Sequence, residues 1–238
     1  PELFWTGMAN ELHWHKKWDK YIDDSNAPFF KFFVGAETNI TYNCLDVHLT
    51  TANRNKVAYI WESEQGETKS VTYFALHREV CKFANVLKSF GVKKGDRVTI
   101  YMGRILEQVI AMLACARIGA IHSVVYGGFS TEALHERIEN SKSAVLITCD
   151  GSFQRGKVVE LKKIANEAAD RSGYINTVIC VQRVGNDVEM VAGRDHWYHK
   201  LMEMPIASPN CEAEILDAEA PLFMLYTSGT TGKPKAIL

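Results

Sequence analysis

From residue 56 onward, short runs of β-branched and aromatic residues alternate with stretches whose apolar positions recur every three to four residues. The first pattern predicts buried strands and the second amphipathic helices. VAYIW (57–61) and SVTY (70–73) flank the turn-like Glu64-Gln65-Gly66-Glu67 and predict a hairpin. Thr72 is placed to cap the following helix, whose apolar positions Val80, Phe83, Ala84, Leu87 and Phe90 keep the helical period until Gly91. RVTIYM (97–102) reads as a buried strand, and the helix expected over 105–118 stops at Gly119. Further strands are expected in HSVVY (122–126), AVLITC (144–149), TVICVQRV (177–184) and PLFMLYT (221–227), with helices near 130–140, 157–170 and 195–204. Such alternation predicts an α/β fold, a mostly parallel, doubly wound sheet with helices on both faces. Ligands of that fold class bind at the carboxyl ends of the strands.

The first 55 residues have a different texture, rich in aromatics and interrupted at Asn26, Pro28 and Gly35. Trp14, Trp18, Tyr21 and Ile22 fall at i, i+4, i+7 and i+8 and predict one apolar helix face. Residues 1–55 are therefore read as an N-terminal segment docked across the main α/β domain, residues 56–238. The stretch 204–221, with three prolines and many acids, reads as a surface connection before the last strand. Asn39-Ile40-Thr41 matches a glycosylation pattern by chance.

Composition narrows the partners. With 27 Lys plus Arg against 28 Asp plus Glu, the net charge of -1 provides no field that would draw the chain to nucleic acid or an anionic membrane, so any anion site must be built locally. Six scattered cysteines without a Cys-x-x-Cys pair predict buried, reduced thiols. The start PELFWTGMANELHWHKKW has no basic-then-apolar leader, and no apolar run reaches membrane-spanning length. The expected location is the cytoplasm, or the mitochondrial matrix after processing. His13 with His15 and His196 with His199 have metal-like spacing, but no acid or cysteine completes a ligand set, and no metal site is expected from them.

The sharpest chemical signal follows PLFMLYT: Thr227, Ser228, Gly229, Thr230, Thr231, Gly232, Lys233, Pro234 and Lys235. Hydroxyls and glycines let backbone amides turn around an anion while the two lysines supply charge, which suits a polyphosphate. The spacing is not that of a Walker loop, because Lys233 precedes proline instead of Ser or Thr, and Pro234 disfavours an immediately following helix.

YTSGTTGKPKAIL resembles the phosphate-binding signature of the adenylate-forming superfamily. ELHWHKKWDKYID, FFVGAETNITYNCLDVHL and the block from KKGDRVTIYM to AVLITCD are similar to AMP-forming acetyl-CoA and propionyl-CoA synthetases, and the YNCLDVH block and Trp-rich leader belong to that subgroup. The resemblance covers nearly the whole chain. One departure is Ala236, where the signature commonly has glycine. The resemblance implies part of the large N-terminal domain of such an enzyme, with ATP, Mg2+, coenzyme A and a short-chain carboxylate, acetate or propionate, as ligands. It implies attack of the carboxylate on the α-phosphate of ATP, release of pyrophosphate, and attack of the CoA thiol on the acyl-adenylate.

A second anion site is expected in Asp150-Gly151-Ser152-Phe153-Gln154-Arg155-Gly156-Lys157, read as a loop of free amides running into a helix start. The resemblance places the phosphorylated adenosine end of CoA there, on an Arg-x-Gly-Arg arrangement whose arginine positions are Gln154 and Lys157 in this sequence. Gln154 brings no charge and Lys157 no planar fork, so Arg155 is expected to compensate. Gly127, Gly128 and Phe129 are implied to lie beside the CoA site, with Ser130 capping the next helix. The adenine and acyl pockets, the magnesium-binding Glu and the small C-terminal domain of the family have no counterpart in this sequence. The chain is thus expected to be an N-terminal part that needs the rest of a longer polypeptide for activity. The alternative is a non-catalytic nucleotide- or CoA-binding module on the same scaffold.

Overall fold

The computed structural model describes residues 1–227 and 235–237. It opens with helix α1 (Glu2–Ala9), then the antiparallel pair β1 (Lys20–Asp23) and β2 (Lys31–Val34), a short β3 (Glu37–Thr38), a wide helical turn over Tyr42–Asp46 and the short α2 (Val47–Leu49). The helix expected through Trp14 and Ile22 is absent. Tyr21 and Ile22 lie in β1, and the rings of Trp14, Trp18 and Tyr21 gather around Phe33 with centroids 5.5, 5.1 and 5.7 Å away. These residues are indifferent helix formers, and a strand partner waits beyond the Asn26–Pro28 turn. The ring cluster therefore half-buries Trp14, Trp18 and Tyr21 without a helix.

The hairpin forms as expected from β4 (Val57–Glu62) and β5 (Thr68–Thr72). Thr72 Oγ1 accepts from the Ala75 amide at 3.2 Å and starts α3 (Tyr73–Ser89), which buries Val80, Phe83, Ala84 and Leu87 and is closed by Gly91 at φ +82°. Then follow β6 (Arg97–Met102), α4 (Leu106–Arg117), β7 (Ile121–Tyr126), α5 (Thr131–Ser141) and β8 (Val145–Cys149). The helix expected from residue 157 begins later. A small hairpin, β9 (Ser152–Gln154) and β10 (Lys157–Val159), comes first, and α6 (Leu161–Arg171) starts behind Glu160. Arg155 and Gly156 both have positive φ, +51° and +73°, as a two-residue hairpin loop requires. Val158 and Val159 favour the strand. The chain continues through β11 (Thr177–Val181), β12 (Asp195–Trp197), α7 (Tyr198–Glu203), β13 (Leu216–Asp217), β14 (Phe223–Thr227) and β15 (Lys235–Ile237).

The main sheet has the order β12-β11-β8-β6-β7-β14-β15, parallel throughout except for the antiparallel β14–β15 pair. The crossover β6–α4–β7 steps one way and β7–α5–β8 returns past β6, so right-handed connections put α4 and α5 on opposite faces. Accordingly α3 packs with α4 and α7, and α5 with α6. Strands β8 and β11 are buried along their whole length, as the unbroken apolar runs require. The connections leaving the adjacent strands β6 and β8 run in opposite directions, which makes the carboxyl end of β6, between β7 and β8, the switch point of the sheet. The connection over 204–221 is more than a surface crossing: Ala207 and Cys211 are buried, and β13 pairs with β3 of the N-terminal segment.

Candidate functional site

A cleft of about 500 Å³ opens at that switch point. Its floor is made by the ends of β6 and β7, which come so close that a Cβ on Gly127 would lie 2.6 Å from the Met102 carbonyl oxygen. A Cβ on Gly103 would meet Ser152 Oγ at 2.3 Å. Both glycines are thus required by space and not by φ. Gln154 Nε2 donates to the Gly127 carbonyl at 2.8 Å, so β7 and the β9–β10 hairpin are joined across the cleft. The far wall is the tip of the β4–β5 hairpin, where Trp61 Nε1 donates to the Arg104 carbonyl at 2.8 Å.

The expected CoA residues divide into three groups. Gly127 and Gln154 line the cleft, and Gly128 sits beside Gln154. Phe129 packs one step behind, its carbonyl accepting from Tyr101 Oη at 2.7 Å and its ring under the Arg137 guanidinium at 4.8 Å. Ser130 caps α5 by accepting from the Ala133 amide at 3.3 Å. Arg155, Gly156 and Lys157 are exposed around the hairpin turn. The expected free amides at a helix start are corrected here: no helix begins at 157, and the Arg155 and Gly156 amides donate to the Glu64 carboxylate at 3.0 and 3.4 Å.

Two residues whose roles the sequence pattern did not show organise this wall. Arg183, just past β11, lines the cleft with its guanidinium 5.0 Å from the Trp61 ring and 5.5 Å from the Phe153 ring, and Nη2 donates to Glu67 at 2.5 Å. Asp150, fully buried at the end of β8, accepts from the amides of Gly151, Arg183, Val184 and Gly185 at 2.6 to 3.2 Å. The available signal was their place, a charged residue one or two positions past the end of each of two adjacent parallel strands.

The polyphosphate loop is bounded by Thr227 in β14 and Lys235 in β15, which are partners in register. Ser228, Gly229, Thr230, Thr231, Gly232 and Lys233 lie outside the described residues. Leu225 of β14 lines the cleft, so the strand leading into the loop stands beside it. A strand, and not a helix, follows the loop, in keeping with the departure from the Walker pattern.

Elsewhere the titratable groups serve structure. His13 and His15 pack against the Tyr42 ring, and His196 against that of Phe90. Among the described residues no three His, Cys, Asp or Glu side chains converge as a metal site. Of the six free cysteines only Cys44 is exposed, and burial pushes the Cys115 and Cys149 thiols up to about 12. No helix among the described residues is long and apolar enough to cross a membrane.

Residues 48–238 match the family model described as AMP-binding enzyme, and residues 1–44 match that of the acetyl-coenzyme A synthetase N-terminus. The chain belongs to the AMP-binding enzyme family. Within that family it is similar over its whole length to the acetyl-coenzyme A synthetases of Chlorobaculum tepidum, 48% identical, and Leptospira biflexa, 51% identical. It spans 36% and 37% of the length of those curated relatives. The solved acetoacetyl-CoA synthetase from Streptomyces lividans superposes with a TM-score of 0.89 at 26% identity, over 99% of this chain and 36% of that one. The doubly wound α/β architecture is therefore that of an AMP-binding enzyme's N-terminal region.

Proposed function

We propose that this chain is the front part of an AMP-forming ligase that joins a short-chain carboxylate, acetate or propionate, to coenzyme A. The observation that carries the reading is identity of about half the residues, along the entire chain, to acetyl-coenzyme A synthetases. A cleft at the sheet's switch point, beside the strand that leads into the polyphosphate loop, supports it. Thr227, Ser228, Gly229, Thr230, Thr231, Gly232, Lys233 and Lys235 would neutralise the β- and γ-phosphates of ATP as the carboxylate attacks the α-phosphate and pyrophosphate leaves. Gly127, Gly128, Phe129, Gln154, Arg155, Gly156 and Lys157 would hold the phosphorylated nucleotide end of CoA, whose thiol then attacks the acyl-adenylate carbonyl and expels AMP. The described residues offer no carboxylate cluster for Mg2+. Residues 1–55 would serve as a docking segment for the α/β domain, and the protein would work in a reducing compartment, the cytoplasm.

Two measurements test this. Calorimetric titration with CoA should show weaker binding to the Arg155→Ala, Lys157→Ala double variant, by several-fold and not more than about a hundredfold, since exposed charge-assisted contacts are individually modest. Unchanged affinity would remove the β9–β10 turn from the CoA site. In acetate-dependent ATP–pyrophosphate exchange the 238-residue chain should be silent, and a longer chain spanning the length of the relatives should turn over. Exchange by the short chain would show that its own residues suffice for adenylation.

A further inference from the structure

The tip of the β4–β5 hairpin is built as a rigid acidic turn. Ser63 Oγ accepts from the amides of Gln65 and Glu67 at 3.2 and 3.0 Å, and the Ser63 amide donates to the Glu67 carbonyl at 2.9 Å. The turn reaches across the cleft with two carboxylates, and each lands on a donor that would suit an incoming anion. Glu64 takes the paired amides of Arg155 and Gly156, and Glu67 takes the Arg183 guanidinium.

Arg183 itself needs neither acid to stay in place. Its backbone amide is fixed by the buried Asp150 at 2.8 Å, and its guanidinium lies over two aromatic rings. Glu67, by contrast, has a side chain 55% exposed, against 19% for Arg183. The cation is thus pre-placed on the cleft wall, while the carboxylate upon it is easily exchanged into water. A phosphomonoester offers more acceptor oxygens and more charge than either carboxylate, and an arginine fork suits it particularly well.

We propose that Arg183 is an anion-binding residue of the cleft and that Glu64 and Glu67 are internal competitors, which a phosphorylated nucleotide displaces from the donors as it enters. The inference rests on reading the cleft as the site of a phosphorylated ligand, and adds a specificity device to it. Ligands without a phosphate at this position leave the acidic tip seated and gain nothing from Arg183. Ligands that carry one exchange two weak internal contacts for stronger ones and free the hairpin tip.

Adenosine 3′,5′-bisphosphate is the probe, titrated calorimetrically into the 238-residue chain at low ionic strength. The Glu64→Gln, Glu67→Gln variant, which keeps size but removes the charge and one acceptor oxygen of each side chain, should bind it about three- to tenfold more tightly, with the gain shrinking as salt is raised. Arg183→Gln should weaken binding about tenfold or more, with a far-UV circular dichroism spectrum matching the parent. If the parent binds the probe and the two glutamines leave affinity unchanged or lower it, the competitor is overturned while the cleft reading stands. If parent and variants all fail to bind, the cleft reading falls and the competitor with it.

Discussion

A buried carboxylate without a cation is costly unless its lone pairs are filled, and Asp150 fills them with four backbone amides, three of which belong to the Arg183–Gly185 turn. Replacing Asp150 by Asn would turn an NH2 group toward donors and leave buried amides unpaired. The expected result is a loss of about 2–4 kcal/mol in urea denaturation, together with weaker bisphosphate binding, because Arg183 loses its anchor. Gly127→Ala acts differently, since a methyl 2.6 Å from the Met102 carbonyl oxygen forces the floor of the cleft to move. Calorimetry should show a large loss of bisphosphate affinity in a variant that still folds. Gly127 was legible because the resemblance already put the Gly127-Gly128 pair beside the site, although not against Met102. Asp150 and Arg183 were not, because they stand 33 residues apart and only the pairing of β8 with β11 brings them together.

At the scale of elements, the parts that the sequence disclosed are those whose causes are local: the Thr72 and Ser130 caps, the Gly91 stop and the fully apolar strands. The β9–β10 hairpin was misread as a helix start because three-residue strands carry too short a pattern to distinguish the two periods. Contacts between elements were equally hidden, as the Asp46–His77–Arg117 cluster illustrates. Arg117, 2% exposed at the end of α4, donates to both Asp46 oxygens at 2.7 and 2.9 Å, and His77 of α3 lies 3.3 Å from the same carboxylate. Burial opposes ionisation of Asp46, but the hydrogen bonds from Arg117 and His77 outweigh it and hold its pKa at about 2, below the ordinary 3.8. Burial likewise opposes the charge on His77, and its bonds to Asp46 and Cys81 win, raising it from 6.5 to about 9. The raised His77 contributes stability that is complete below pH 6.5 and is lost as pH rises through about 9. The depressed Asp46 contributes above pH 3.8 and is lost as pH falls through about 2. The unfolding free energy from urea denaturation should therefore be highest between about pH 4 and 6.5 and fall toward pH 9, by about 3 kcal/mol at most, since the two shifts describe one shared contact. His77→Gln should flatten the alkaline limb. An unaltered limb would assign the loss to other groups.

Across the whole molecule, the N-terminal segment and the cleft occupy opposite ends of the sheet: α4 ends and β7 begins where the segment is tied, whereas the cleft lies where β7 finishes. The tie is concentrated in Asn39, 1% exposed. Its Nδ2 donates to the carbonyls of Ala116, Arg117 and Glu214 at 3.0, 3.3 and 2.9 Å, while Oδ1 accepts from the Thr41 amide and hydroxyl. What reads in the sequence as an incidental Asn-Ile-Thr is an Asx turn pinning the leader, the end of α4 and the 204–221 connection to one another. The pattern is short and common, and its meaning comes from partners 77 and 175 residues away, which no local reading supplies. Asn39→Ala removes both halves of the side-chain amide and leaves the buried Ala116 and Arg117 carbonyls, and that of Glu214, with one partner fewer. It should cost about 2–4 kcal/mol and make limited proteolysis within residues 1–45 and 204–221 much faster. Because the cleft is at the far end of the strands, bisphosphate affinity measured under folding conditions should stay within about twofold of the parent. A matching loss of affinity would mean that the segment reaches the site through the sheet, so this one variant separates holding the fold together from shaping the cleft.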